Sequence, residues 1–511
     1  MTPFETPTIE YAQLAPILVV LGAAVLGVLV EAFLGRASRY PAQLGLAVLA
    51  LLAAFAFVLR AAGTRNLAAE GSVAIDGPTL FLQGTILLLA LVALLSIGER
   101  GLDGGGDAFA PQAAALPGSE QERAGAQAGI TQTEVFPLFL FAVGGMLLFP
   151  AANDLLTVFV ALEVLSLPLY LLSALARRRR LLSQEAAMKY FLLGSFSSAF
   201  FLYGAALVYG YAGTIDLGGI ADAVSSVPGN DGLLLAGTAL LGVGLLFKVG
   251  AAPFHAWTPD VYQGAPTPIT GFMAACTKVA AFGALLRIFY VAFGGTRWDW
   301  APVMWAVAIL TMVVGAVLAL TQTDVKRMLA YSSIAHAGFV LVGVIAASPA
   351  GVSSVLFYLL AYGFVTVGAF AVVTMVRDAS GEATHLSQWA GLGRRSPVVA
   401  AIFALFLLAF AGIPLTSGFT GKFAVFSAAL AGGATPLVVV GVVTSAIAAF
   451  FYVRVIVLMF FSDPAPDGPT VAAPSALTTA AVALAAAATV VLGVIPQSVL
   501  DLAGRAATFV R

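Results

Sequence analysis

The chain has 511 residues, 60% of them hydrophobic and only 10% charged, with a mean hydropathy of +1.00 and a formal net charge of −1. Soluble domains carry about 25% charged residues, so a water-soluble globule is excluded and a polytopic membrane protein is implied. The near-neutral balance without a basic tail argues against nucleic acid. The single cysteine, Cys276, rules out an internal disulfide and any cysteine-ligated zinc or iron–sulfur centre.

A span needs about 20 apolar residues. Taken in order, the apolar runs predict about fourteen spans: 12–33, 41–60, 78–98, 133–151, 153–174, 184–210, 232–252, 267–293, 301–320, 326–347, 351–376, 397–430, 435–462 and 471–496. Residues Met1 to Glu10 lack the positive region of a cleavable signal, so the first span is expected to be retained. Residues 99–132, with Gly104-Gly105-Gly106, many alanines and mixed charges, cannot bury a core of their own and read as a flexible cytoplasmic loop.

Alternating the spans collects Arg36, Arg39, Arg177-Arg178-Arg179-Arg180, Lys326-Arg327 and Arg394-Arg395 on one face. The loop around Asp216, Asp222 and Asp231 falls on the other. Basic loops stay cytoplasmic, which places both termini outside. Two features recur five spans apart. Asn153-Asp154 and Thr323-Asp324 each open a span, where an Asp commonly caps the helix. Gly250-Ala251-Ala252-Pro253 and Gly412-Ile413-Pro414 each break one. Five is odd, so the second unit would sit upside down relative to the first, as in transporters built from inverted repeats with broken helices. The expected fold is therefore all-α and polytopic, with three N-terminal helices in 1–98, inverted five-helix repeats in 133–293 and 301–462, and a last helix and tail in 471–511.

The chain has only five lysines, and Lys189, Lys248, Lys278 and Lys422 fall inside apolar spans. Arginine stays protonated under nearly all conditions, whereas a desolvated lysine can release its proton. A buried charge costs about 3 kcal/mol or more at a helix centre, so amines held there imply a proton relay. Lys248 lies just before the Pro253 break, Lys278 at mid-span, and Lys422 after the second break. Lys189 follows Glu185 by one turn, so snorkelling or a simple i,i+4 pair also accounts for it. Glu163 is the lone carboxylate between Leu155 and Leu172. Paired with Lys248 or Lys189 it would form a switch, each charge holding the other until a proton arrives. His255 and His336 titrate near neutrality and could bridge the lysines, or merely bond a helix neighbour. Arg287 and Arg454 are expected to reach a membrane edge or to pair structurally. Glu31 could pair with Arg36 or touch a neighbouring subunit, and His385 lies in a polar loop. Neither a dinucleotide fingerprint nor a phosphate loop is present.

The run Leu246-Phe247-Lys248-Val249-Gly250-Ala251-Ala252-Pro253-Phe254-His255-Ala256-Trp257-Thr258-Pro259-Asp260-Val261-Tyr262-Gln263-Gly264-Ala265-Pro266-Thr267-Pro268 resembles the broken-helix signature of the antiporter-like subunits of respiratory complex I, the bacterial NADH:quinone oxidoreductase. Asp324-Val325-Lys326-Arg327-Met328-Leu329-Ala330-Tyr331-Ser332-Ser333-Ile334-Ala335-His336-Ala337-Gly338 is similarly characteristic. The resemblance covers roughly 130–460. It implies a fourteen-helix subunit with two half-channels joined by a hydrophilic axis, its key carboxylate at Glu163, channel lysines at Lys189, Lys248 and Lys278, an exit-side lysine at Lys422, and histidines at His255 and His336. It further implies a bacterial inner-membrane protein with no cofactor in this chain and neighbouring membrane subunits and lipid as partners. FMN, iron–sulfur clusters and quinone chemistry would reside elsewhere in the complex. The long 99–132 loop departs from the compact family pattern. A sodium/proton antiporter subunit, an inert scaffold and a solute carrier are the rival readings.

Overall fold

The structure is a computed structural model and describes residues 9–101, 106–128, 131–226, 231–378, 381–464, 468–472 and 475–511. Among these residues, twelve helices are long and apolar enough to cross a membrane. They are α1 (Tyr11–Phe33), α2 (Arg36–Arg60), α3 (Gly77–Ile97), α5 (Leu155–Ser173), α6 (Arg180–Ala212), α7 (Asp231–Val249), α9 (Thr267–Ala292), α10 (Arg297–Leu320), α11 (Val325–Ile345), α12 (Pro349–Met375), α15 (Thr435–Phe461) and α16 (Ala476–Val494). Two shorter apolar helices, α4 (Val135–Leu148) and α13 (Pro397–Ala411), join them. The short α8 (Trp257–Gly264) continues α7 beyond its break, and α14 (Ser417–Ala431) continues α13. α9, α11 and α12 are the most deeply buried helices, while α1, α2, α6, α10, α15 and α16 form the perimeter.

The first described residues and the C-terminal end both lie near the hairpin and cap that precede α3. Glu10 accepts the Ala69 amide, and Asp76 accepts the Val510 amide. A hairpin of β1 (Asn66–Ala68) and β2 (Val73–Ile75) sits on this face. On the basic face, β3 (Val376–Asp378) pairs with β4 (Gly381–Glu382) and β5 (Thr470–Val471).

Two helix starts are built alike. Asp154 caps α5 by accepting from the amides of Leu156 and Thr157, and Asp324 caps α11 by accepting from Lys326 and Arg327. A two-bond clasp holds each cap. Leu155 N–H donates to Ile215 and Leu217 N–H to Asn153, while Val325 N–H donates to Thr384 and Leu386 N–H to Thr323. The Arg179 guanidinium, just beyond the far end of α5, donates to Thr384 Oγ1 at 2.7 Å. The segment just after α5 therefore lies beside the start of α11.

The breaks also share one geometry. Gly250 and Gly412 adopt the left-handed conformation, φ 74° and 83°. Ala251 N–H then returns to Leu246 O and Gly250 N–H to Phe247 O, just as Ile413 returns to Leu408 and Gly412 to Ala409. These are Schellman caps with glycine where a Cβ would be strained, and Pro253 and Pro414 prevent the helices from resuming at once. After the second break α14 turns back against α13 so closely that a Cβ on Gly418 would lie 1.8 Å from Ala409 O. Gly418→Ala must push the two half-helices apart, an overpacking cost of about 1–3 kcal/mol or more. We expect a clearly lowered yield of folded subunit by size-exclusion in mild detergent; a parental yield and melting profile would contradict this packing.

The described residues of 99–132 rest against the basic face. Phe109 and Ala115 are buried, Glu120–Gln127 is helical, Arg177 pairs with Asp107 at 2.8 Å, and Arg180 pairs with Glu122 at 3.0 Å. The arginine run supplies the anchor that the segment's own composition lacks. Residues 102–105, 129 and 130 lie outside the described part. Glu99 accepts from Ser475 and Thr478 and so ties this segment to the start of α16. Burial pushes its carboxyl up, but those hydrogen bonds and the Gly101 amide outweigh burial and hold it below the ordinary range.

Candidate proton relay

Lys248 sits in the last turn of α7, where the Schellman cap ends the helix inside the bundle. It is 3% exposed. Its Nζ donates to Ser166 Oγ at 2.7 Å and to Tyr190 OH at 3.4 Å, beneath the rings of Tyr190 and Tyr170. Ser166 in turn donates to Leu162 O. Glu163 lies one turn before Ser166 on α5. Its Oε1 is buried without a hydrogen-bond partner, and it makes no ion pair among the described residues. The serine hydroxyl therefore stands between the carboxylate's helix and the amine.

Lys189 makes the i,i+4 pair with Glu185 that its spacing allows and gains a second carboxylate, Asp260. Both lie at 2.7 Å, and Asp260 also holds Arg327 at 2.7 Å. It does not reach Glu163, and its side chain remains 42% exposed. His255 is half-buried beyond the break, its Nδ1 buried and unpartnered, and no lysine bonds to it.

Lys278 lies at the core of α9, directly after a wide π turn, Met273–Thr277, that re-aims the following residues. Its ammonium donates to Val249 O at 3.1 Å and Ser333 O at 2.6 Å. Lys422 does the same at the second break. It donates to Phe410 O at 2.9 Å, Ala411 O at 3.0 Å and Ser445 Oγ at 2.8 Å. Each cation thus sits on the carbonyl end of a broken helix, where the helix dipole favours positive charge and the last carbonyls need donors. Between them lies His336. Its Nδ1 meets Tyr358 OH at 2.6 Å and its Nε2 meets Tyr452 OH at 3.4 Å. Tyr452 also bonds Ser332, the neighbour of Ser333. A cavity of about 10 Å³ lined by His336, Tyr358, Tyr362 and Ser417 opens beside the ring, about the space of one water.

The polar groups therefore run as one line through the bundle, from Glu163 and Ser166 through Lys248, Val249 O and Lys278 to Ser333, Ser332, Tyr452, His336 and Lys422. Thr277 Oγ1 and Ser417 Oγ are buried beside the line with hydrogen-bonding capacity unused. The hydroxyls of Ser166, Tyr190, Tyr358, Tyr452 and Ser445 escaped sequence reasoning because a neutral hydroxyl in an apolar run carries no charge signal. Lys326, expected among the loop cations, is instead 2% exposed, donates to Ala265 O at 2.7 Å and lies 3.8 Å from Glu382. The capping of α11 by Asp324 draws it inside the bundle.

Arg287 pairs structurally and does not reach a membrane edge: it is fully buried against Asp76, Thr79 and Pro150 O. Arg454 donates to Leu320 O at the exposed perimeter. Glu31 pairs with Arg39, at 3.3 Å, rather than with Arg36.

A helical bundle with two broken helices and a buried line of amines defines an antiporter-like membrane subunit. The family described as NADH:quinone oxidoreductase/Mrp antiporter, transmembrane, matches residues 152–448, and the chain belongs to that family. Among its relatives are NADH-quinone oxidoreductase subunit N of Rhodococcus opacus, 68% identical over 99% of this chain and 97% of the relative, and subunit N 3 of Streptomyces griseus, 66% identical over 99% and 96%. A chain of respiratory complex I from Thermus thermophilus with bound aureothin superposes with a TM-score of 0.77 at 34% identity, covering 96% of this chain and 99% of that one. A chain of the Mrp complex from Dietzia sp. shares the fold, with a TM-score of 0.79 at 23% identity over 96% and 97%.

Proposed function

We propose that this chain conducts protons across a bacterial membrane as subunit N of an NADH:quinone oxidoreductase, driven by quinone reduction elsewhere in the complex. The observation that carries the reading is the line of buried polar groups from Glu163 to Lys422, in which three lysines are buried yet bonded only to carbonyls and hydroxyls. A static charge would be matched by a carboxylate. An amine solvated by neutral acceptors can lose and regain its proton without stranding a counter-ion. Carbonyls freed at the two breaks and the unused hydroxyls favour water beside the amines. Glu163, Lys248, Lys278, His336 and Lys422 are the relay groups. Lys189, with Glu185 and Asp260, stands nearer the basic face and serves proton uptake; His255 borders the first break. The chain holds no redox cofactor in this reading, and FMN and iron–sulfur chemistry belongs to partner subunits.

The matched clasps and caps support two inverted units, 133–293 and 301–462, within a fourteen-span plan. One offset of 170 residues relates Gly145 to Gly315, Asp154 to Asp324 and Leu165 to Ala335, and the two glycines press against those same two residues. Both termini then lie outside, with the arginine-rich face cytoplasmic. The family also includes Mrp antiporter subunits, but identities of 66–68% with subunit N over nearly the whole chain favour the oxidoreductase.

The test is Glu163→Ala and Lys248→Ala in the intact complex, reconstituted in vesicles with a pH-sensitive dye. Each is expected to lower proton uptake per NADH oxidised, with Lys248→Ala reducing the initial pumping rate at least about tenfold, the scale of one lost proton-transfer group. Pumping that survives both changes would leave only a scaffold.

A further inference from the structure

At the basic face, where α6 begins, a cavity of about 880 Å³ opens at the edge of the bundle. It is lined by Arg123, Arg177, Arg178, Arg179 and Arg180, with Glu122, Pro111, Pro117, Leu181 and Leu182 completing the wall. Among the described residues two of these arginines hold carboxylates, Arg177 that of Asp107 and Arg180 that of Glu122. Arg180 is 6% exposed and builds the roof. It donates to Gln112 O, Ala113 O and Ala115 O and pairs with Glu122, while its buried Nε has no partner. Arg179 is steadied by Thr384 and Arg123 by Gly118 O.

We propose that this cavity binds the headgroup of an anionic phospholipid, whose phosphodiester meets Arg123, Arg178 and Arg179. Three observations point to a lipid. The cluster is all arginine, the residue whose planar fork matches phosphate oxygens. It stands at the positive end of α6, a helix terminus that favours anions. The cavity is also continuous with an apolar track. Leu181, Met188, Leu192 and Phe196 share one face of α6 and are 71, 58, 57 and 64% exposed, a path for acyl chains leading down from the headgroup. Glu185 lies on that same face, but Lys189 holds its carboxylate. Basic pockets at the cytoplasmic ends of membrane helices recognise lipid headgroups in this way. Residues 106–123 are then the roof of a lipid site, which accounts for their docking on the arginine run.

The test uses the intact complex in nanodiscs made from an equal mixture of phosphatidylglycerol and phosphatidylcholine, with lipid retained after mild detergent extraction counted by native mass spectrometry. The parent is expected to keep phosphatidylglycerol. The triple variant Arg123→Gln, Arg178→Gln and Arg179→Gln is expected to bind it on the order of 100-fold more weakly, about fivefold per cation removed. The corresponding triple lysine variant keeps the charge and should bind more tightly than the glutamine variant, which separates lost recognition from lost folding. Equal retention in the parent and the glutamine variant overturns the proposal, as does a parent that keeps no phosphatidylglycerol. Displacement of the lipid by inorganic phosphate would reassign the cavity to a free anion.

Discussion

Arg287→Ala is expected to be the most destabilising single substitution in the chain, by about 3–5 kcal/mol, because it leaves a buried carboxylate without its counter-charge. Arg287 and Asp76 are both fully buried. Arg287 Nη2 reaches both Asp76 oxygens at 2.8 and 2.9 Å and Thr79 Oγ1 at 2.7 Å, and its Nε reaches Pro150 O at 2.8 Å. One side chain thereby ties the end of α9 to the start of α3 and to the loop after α4. Asp76 also caps α3 through the Thr79 amide and accepts the Val510 amide. Burial alone would push its carboxyl up, yet the Arg287 charge and these hydrogen bonds together outweigh it and hold the group below the ordinary carboxylate range. A depressed folded value means that this contribution is complete above the ordinary range and is lost only as pH falls through the depressed one. Thermal denaturation in detergent should show a large drop for Arg287→Ala. Arg287→Met combined with Asp76→Asn should recover much of it, since the second change removes the orphaned charge and keeps the cap. A single variant that melts like the parent would show that the pair holds nothing together.

Lys278→Arg is expected to abolish proton pumping while sparing assembly. The guanidinium retains the positive charge and can still donate toward Val249 O and Ser333 O, so the link between the first break and α11 survives. What it cannot do is release a proton. If Lys278 serves only to neutralise helix-end carbonyls, the arginine variant will pump normally. If it relays, pumping in vesicles falls at least about tenfold while the complex still migrates at its normal size. Lys278→Ala removes both roles and cannot distinguish them, which makes the arginine variant the informative one.

Much of this was legible from the chain alone, for reasons that differ by residue. The spans follow from hydropathy because a bilayer leaves few alternatives. The Gly250 and Gly412 breaks were visible because glycine followed closely by proline marks a helix end. The buried lysines stood out because a charge inside an apolar run is expensive. Partners within one helix, such as Glu185 for Lys189, were legible; those brought from other helices were not. Lys189 holds Asp260 besides Glu185, and not Glu163, because α8, packed against α6 beyond the break, carries Asp260 to it, and no single-sequence signal reports that packing. Lys326 looked like a loop cation because burial at a helix start depends on what docks there, here β4 through Glu382. Residues 99–132 looked unpacked for a related reason, since their anchors lie some seventy residues further on.

The clasp at the start of α5 bears on how the chain is made. It joins Asn153 and Leu155 to Ile215 and Leu217, so its second strand leaves the ribosome about 3–13 s after the first at ordinary synthesis speeds. Throughout that interval the Leu155 amide and the Asn153 carbonyl lack their partners, while Asp154 can already cap its own helix. Polar knots of this kind therefore close only after both flanking helices have been made, so the outer end of α5 is fixed by a segment synthesised after α6.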